Sequence, residues 1–579
     1  MRLGLRTIQP CCAAMLAAAF IFSGMATAQQ RPDAGTILQT VPPPREPSRP
    51  AGEVPLPPAP KPSMRPPSNI KVMVSSVRFT GNTLFSDAEL QKAVAGFLNK
   101  QLTNEDLDEL LRAVSTVYRS AGYFLAQAYF PRQDLTAGSV EVYVLEGKIG
   151  KVSLEREPGA QVRQFVARGY LSNIKEGEVA TEKNIERPLL LLQDLPSTTV
   201  KSSVGPGAKP GEADLKVQVG DDGRRISGIG EVQNFGNKFA GAIQAGAQVF
   251  LSNPTGLGDL VTLRGLVSEH NLTQVLGGSY AVPVGPLGTK AGVSYSELRY
   301  KLGGDLSSSL ASGDAQITTL LLIHPFIRTR DSNLFGQINA DQKDLEDRVG
   351  SIASQENRRI KDARIGVFGD SRDFLLGGGL NAYSATYTKG KLTILTPTTL
   401  AVDQTPGVGG FTNGNFQKFN AELRRAQQVT KNLVFAVNVN LQRADANLAS
   451  VEKVSAGGPQ NVRAYAVGEA LADDALMLNA ELRYRAPGWK VFSGDVQLVG
   501  FLDGAKVNRF HNQPASDVGA NGVLLPNQRN LYGAGIGLRI GAENNFALVA
   551  DLAWRVGSDA SQSDVDRSPR VWLHAIKYF

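Results

Sequence analysis

The chain is short of the residues that do chemistry. It has two cysteines in 579 residues, Cys11 and Cys12, and both lie in the first 12 positions. Past residue 12 a disulfide, a thiolate zinc site and a thiol nucleophile are all excluded. The four histidines, His270, His324, His511 and His574, are scattered without metal-ligand spacing. There is no HExxH, no GxSxG and no GxxxxGK. Glycines 533, 535 and 537 in "YGAGIGLRIG" alternate, which places them on one face of a strand and not around a phosphate. No basic block carries interleaved aromatics, and the net charge of +7 is mild for this length, so nucleic acid is not a partner. Catalytic residues, metal ligands and cofactors are therefore all expected to be none. After residue 28 no apolar run reaches the roughly 18 residues of a membrane-spanning helix.

What is present begins with a leader. Arg2 and Arg6 precede the 12-residue apolar stretch "CCAAMLAAAFIF", and Ala26-Thr27-Ala28 offers a cleavage site. Residues 1–28 read as a signal peptide; an uncleaved anchor would need a longer run. Residues 29–70 hold 13 of the 31 prolines and form an extended linker. Within it "DAGTILQT" (33–40) is either a short amphipathic helix, able to plug a pore, or disordered.

Residues 71–147 and 148–219 each follow the order strand, helix, helix, strand, strand. In the first, "KVMVSSVRFT" is strand-like, and Ser86 with Glu89 makes a capping box. Leu107, Leu110, Leu111, Val114, Val117 and Tyr118 share a helical face, and Gly122 ends that helix. "YFLAQAYF" and "SVEVYVLEG" complete the module. The second is fainter, and Pro188 weakens its second helix.

Residues 220–579 alternate with a period of two. In "LMLNAELRY", Leu476, Leu478, Ala480, Leu482 and Tyr484 share one face, and Met477, Asn479, Glu481 and Arg483 the other. Longer polar stretches such as 339–364 read as loops, and Asp473-Asp474 as a solvated turn. A barrel with lipid outside and water inside needs this pattern over this length, and closure leaves no unpaired edge in the bilayer. At roughly 22 residues per strand and connection the region holds about 16 strands.

One arginine stands apart. Arg463 sits in "GGPQNVRAYA" (457–466) behind a Gly-Gly-Pro turn, with no acid within five residues. Taken alone it is either a solvated loop charge or half of a long-range pair.

Several stretches carry a family likeness: "VRFTGNTLFSDAEL", "QNFGNKFAGA", "NPTGLGDLVTL", "YAVPVGPLGTKAGVSYS", and "GGPQNVRAYAVGEA" followed by "LNAELRY". Over nearly its whole length the chain resembles an outer-membrane transporter of two-partner secretion, the haemolysin secretion/activation family, itself related to the barrel-assembly insertases. The resemblance implies two periplasmic POTRA domains, 71–147 and 148–219, and an outer-membrane β-barrel, 220–579, of a Gram-negative bacterium. It implies that the motif Val462-Arg463-Ala464-Tyr465 folds inward, with Ala464 where the family has glycine. Arg463 would meet Asp503 in a strand motif that includes Phe501 and Gly504. Phe579 would be the C-terminal signal read by the barrel-assembly machinery. Lys577 departs from the apolar alternation of that last strand. The partner would be a secreted exoprotein of adhesin, haemolysin or filamentous type, bound unfolded by POTRA strand edges or a helix groove and threaded through the pore. Two other functions remain open on the residues: an insertase for other barrels, and a diffusion porin, which has no need of residues 71–219.

Overall fold

The structure, a computed structural model, describes residues 31–42, 45, 71–134, 138–518 and 522–579. The expected leader and most of the linker lie outside these residues.

In the first module Ser139–Leu145 is the central strand. It pairs in parallel with Ser76–Thr80 and antiparallel with Gln127–Tyr129. Helices Asp87–Val94 and Asn104–Ser120 pack on it. The Ser86 N–H donates to Glu89 at 2.9 Å, and Thr103 and Asp106 cap the longer helix reciprocally. Leu107, Leu110, Leu111, Val114 and Tyr118 are buried along one stripe of that helix, and Gly122 follows it at φ +89°. The opening strand is broken at Ser75, whose N–H turns to the Gly138 carbonyl at 2.7 Å. Of "YFLAQAYF" only Gln127–Tyr129 is strand. Leu125 is instead buried in the core of the second module, with Phe124 packed against it. Glu146 is a buried acceptor: the N–H groups of Thr83 and Leu84 donate to it at 2.6 and 2.7 Å, and the Tyr118 hydroxyl at 3.2 Å. Burial, and then the nearby carboxylate, hold the Tyr118 proton well above the usual phenol range.

The second module repeats the plan, with Glu212–Asp221 between Lys148–Arg156 and Thr198–Pro206. Helix Glu182–Gln193 runs through Pro188. Burial of Ile185 and Leu189 to Leu192 on the sheet outweighs the missing N–H. This module seats on the barrel's periplasmic turns. Arg328 makes a two-bond pair with Asp194 at 2.7 and 2.8 Å, Arg330 pairs with Glu186 at 3.0 Å, and Arg163 N–H donates to Gly256 at 2.8 Å.

The remaining strands form a closed antiparallel barrel of 16, from Ile226–Gln233 to Arg570–Tyr578. Leu476, Leu478, Leu482 and Tyr484 are exposed on its outer face, while Met477 and Asn479 are buried inside. Residues 339–364 are not a loop. They belong to strands Ser332–Val349 and Ser354–Asp373, 18 and 20 residues long, joined at 350–353. About 9–11 residues cross a bilayer, so the extracellular half of this hairpin extends past the lipid: its outward face is polar, its lumen face buries Asp341, Lys343, Asp347 and Asp362 against the helix and the inward loop, and the apolar alternation is lost. Phe579 exchanges backbone bonds with Gly228 at 2.8 and 3.0 Å. Its ring covers Gly228, where a Cβ would lie 2.3 Å from it. Lys577 is exposed on the outer face, and its ammonium donates to Asn545 in the adjoining periplasmic turn.

Candidate functional site in the barrel lumen

The connection between strands Leu433–Ala444 and Asp474–Val491 folds inward. Its tip places Arg463 against the inner wall, with the residue only 3 % exposed. The guanidinium approaches Asp503 as a fork, Nε to Oδ2 at 2.9 Å and Nη2 to Oδ1 at 2.8 Å. The Arg463 backbone N–H adds a third bond to Oδ2 at 3.1 Å. Nη1 donates to Glu481 at 2.6 Å, and Asp551 lies 3.8 Å away. The guanidinium also stacks on Phe501, 3.5 Å from the ring centre. Trp572 Nε1 donates to the Arg463 carbonyl at 2.7 Å, and the Tyr465 hydroxyl to the Asp559 carbonyl at 2.8 Å.

The barrel strand supplies this geometry through its period of two. Phe501 and Asp503 face the lumen, while Gly504 points outward beside Tyr532. Gly504 is therefore not part of the contact. Ala464 fits where the family motif has glycine, because its φ is not positive. The close approach is accommodated across the interface instead: a Cβ on Gly533 would lie 2.8 Å from the Ala464 Cβ. The alternating glycines of "YGAGIGLRIG" thus lie partly beneath the loop tip. Val462, Ala464, Tyr465, Phe501 and Leu531 bury the pair in an apolar cluster, so water does not bathe it.

Glu481, Asn479 and Trp572 do not stand out in the sequence. Asn479 donates to Asp503 at 2.9 Å and to the Asn461 carbonyl at 2.7 Å. The signal for both Asn479 and Glu481 was their shared polar face in "LMLNAELRY". Asp473 and Asp474 do not form a solvated turn. Asp473 is fully buried and accepts from the Leu448 and His511 N–H groups at 3.1 and 2.9 Å, with Lys453 at 3.1 Å. Two adjacent acids read locally as a turn, but the inward fold of the loop surrounds them with donors.

A second element shares the lumen. Helix Ala34–Leu38 is capped by Asp33 and buried against Leu298, Ala311, Leu345 and Ile360. The Ala34 N–H donates to Asp347 at 2.8 Å, and Arg358 pairs with Asp33 at 3.4 Å and with Asp347 at 3.0 Å. The same inward loop holds the helix. Ser450 Oγ donates to Asp33 at 2.5 Å, and Gln39 Nε2 donates to the Ser450 and Lys453 carbonyls at 2.8 and 2.7 Å. Glu452 of that loop pairs with Lys343 and, at 2.8 Å, with Lys418 on the wall.

The barrel is thus filled by an inward loop and a short helix, with two αβ modules beneath it. A family model described as "Haemolysin secretion/activation protein ShlB/FhaC/HecB" matches residues 211–540, and a ShlB-type POTRA model matches 72–147. The chain belongs to the ShlB/FhaC/HecB family. This haemolysin secretion/activation protein is a two-partner secretion transporter of the outer membrane and not an enzyme. It is similar to the heme/hemopexin transporter protein HuxB of Haemophilus influenzae, 26% identical over 498 residues, covering 85% of this chain and 84% of that one. The outer membrane transporter CdiB of Dickeya dadantii is 23% identical over 469 residues, 78% and 79% of the two chains. In fold it resembles CdiB from Escherichia coli, with TM-score 0.66, 21% identity and 90% and 93% coverage. BamA from Haemophilus ducreyi lacking POTRA domains 1–3 shares the fold at TM-score 0.53, 15% identity and coverage of 87% and 100%.

Proposed function

We propose that this transporter takes an unfolded exoprotein from its POTRA domains and passes it through a lumen that is closed at rest. The exoprotein is a large secreted chain of haemolysin, adhesin or filamentous type. The observation that carries this reading is the lumen itself: its two fillings, helix Ala34–Leu38 and the 445–473 loop, each bury a small apolar patch on the wall, and the helix is tied to wall and loop by polar and ionic contacts. Such contacts exchange with water or with a passing polypeptide more readily than a fused apolar core does. The proline-rich linker lets the helix leave without detaching. In polyproline form about 30 residues reach roughly 90 Å. Cleavage at Ala28 would free the mature N-terminus for that role.

Docking uses strand edges. Ser76–Thr80 and Gln127–Tyr129 flank the first sheet, and Lys148–Arg156 and Thr198–Pro206 the second. An extended peptide adds to such an edge through backbone bonds. Arg463 and Asp503 act as a lock that keeps the loop tip seated while the helix moves. No nucleotide chemistry is needed, because folding outside the cell biases movement outward.

The docking test keeps both modules whole, since Leu125 of the first belongs to the core of the second. A photocrosslinker at Ser203, on the edge strand Thr198–Pro206, should capture the exoprotein during export. One at Ser120, at the end of a helix, should not. Equal capture at both sites, or none at either edge of either sheet, would remove edge docking.

A further inference from the structure

The periplasmic turn between strands Ser354–Asp373 and Gly379–Ile394 exposes three consecutive large apolar side chains. Phe374 is 87 % exposed, Leu375 64 % and Leu376 80 %. The turn is not loose. The Gln427 side-chain amide lies 3.1, 3.0 and 2.9 Å from the carbonyls of Leu375, Leu376 and Gly378. Arg425 clasps Asp373 at 2.6 and 3.1 Å and Asn381 at 2.6 Å, and Asp373 accepts the Leu375 N–H at 3.0 Å. This frame holds Leu376 at φ +51°, a left-handed conformation that a γ-branched residue rarely adopts, and Gly377 and Gly378 at +95° and +105°. A polar scaffold and backbone strain are thus spent on keeping apolar groups outward.

Among the described residues, no protein covers them. The second αβ module seats on the turns around Gly256, Gly288 and Arg328, under the early strands. The 374–378 turn joins the eighth and ninth strands, on the opposite side of the barrel from the closure between the last strand and the first. What lies next to it is the lipid face. Gln427 is the register partner of Phe435, and Thr430 of Leu433. Phe435 is 42 % exposed and Val429 53 %, continuing the outward band of Leu423 and Ile365. The apolar outer surface therefore reaches the level of the frame on the neighbouring strands.

We propose that residues 374–376 insert shallowly into the periplasmic leaflet of the outer membrane and anchor the barrel on the side away from its closing seam. The Asp373–Arg425 frame then lies among lipid headgroups, and the three side chains among the first methylenes. The inference is independent of the export reading.

The test uses a full-length chain with Cys11→Ser and Cys12→Ser, which leaves none of the native cysteines. Single cysteines Leu375→Cys, Leu423→Cys and Ser120→Cys are labelled with an environment-sensitive fluorophore. The protein is reconstituted in phosphatidylethanolamine–phosphatidylglycerol vesicles with brominated acyl chains. The label at 375 should show blue-shifted emission and lose fluorescence to bromines near the ester end of the chains. The label at 423 should lose it to deeper bromines, and the label at 120 to none. A label at 375 that behaves like the one at 120, red-shifted and open to aqueous iodide, would overturn the anchor and leave the turn free for a protein partner.

Discussion

Arg463 makes more contacts than a point charge would need. A guanidinium forked on Asp503, bonded to Glu481 and stacked on Phe501 uses planarity as well as charge. Arg463→Lys therefore restores little export, although it keeps the charge. Asp503→Ala leaves a buried cation with one carboxylate fewer, at a cost typically about 3–5 kcal/mol. The pair is buried, but Glu481 stays bonded to the guanidinium at 2.6 Å, so the cost falls at the low end of that range. Export into the medium should fall sharply in each single variant while barrel levels, read by heat-modifiable mobility, stay near normal. The double variant should be no worse than either single. Additive losses would mean that the two residues act separately. Gly533→Val should mimic these defects without touching a charge, because its side chain would occupy the space of Ala464. The Arg463–Asp503 pairing was implied by the resemblance of two motifs, 40 residues apart, to those of the family, and the residues alone left Arg463 open between a loop charge and a pair. Glu481, Asn479 and Trp572 were not, because which residue lies opposite which depends on strand register, and register is a property of the closed sheet.

At the scale of elements, the short helix and the POTRA modules carry separate predictions. Removing residues 31–42 deletes the Asp33 and Gln39 contacts while the wall and the loop remain. Single-channel recordings in planar bilayers should then show larger and longer openings than the full chain. Unchanged conductance and gating would mean that the helix does not obstruct the pore. In the first module, Glu146→Ala leaves the Thr83 and Leu84 N–H groups without their acceptor. Thr83 and Leu84 are exposed, so water takes these two donors, but the buried Tyr118 hydroxyl is left without its acceptor, at a cost of about 1–3 kcal/mol. Limited proteolysis of the folded protein should cut this module first, with the barrel intact. Capping and amphipathic periodicity made the helices of the first module legible, while in the second they were fainter, and Pro188 masked a helix that Ile185 and Leu189 to Leu192 hold by burial. The polar hairpin through 339–364 was misread, because beyond the bilayer its outward face is polar and its lumen face carries buried ion pairs, so neither face shows an apolar period. Asp473 was misread because its burial comes from the inward loop, which no local pattern announces.

At the scale of the molecule, the barrel sorts residues by parity. Leu423 is exposed to lipid, and its neighbour Arg424 faces the lumen on the same side as Lys418, which reaches Glu452 of the inward loop. The strand count was legible from total length and period. The division of the lumen between loop and helix was not, since it rests on contacts more than 300 residues apart, such as Ala34 with Asp347. The proposed export route requires the exoprotein to pass through this lumen. Photocrosslinkers placed at Arg424 and, separately, at Leu423 test it during active export, with the products read by immunoblot and mass spectrometry. Position 424 should capture the exoprotein and position 423 none. Capture from 423 with none from 424, in a protein that exports normally, would contradict it.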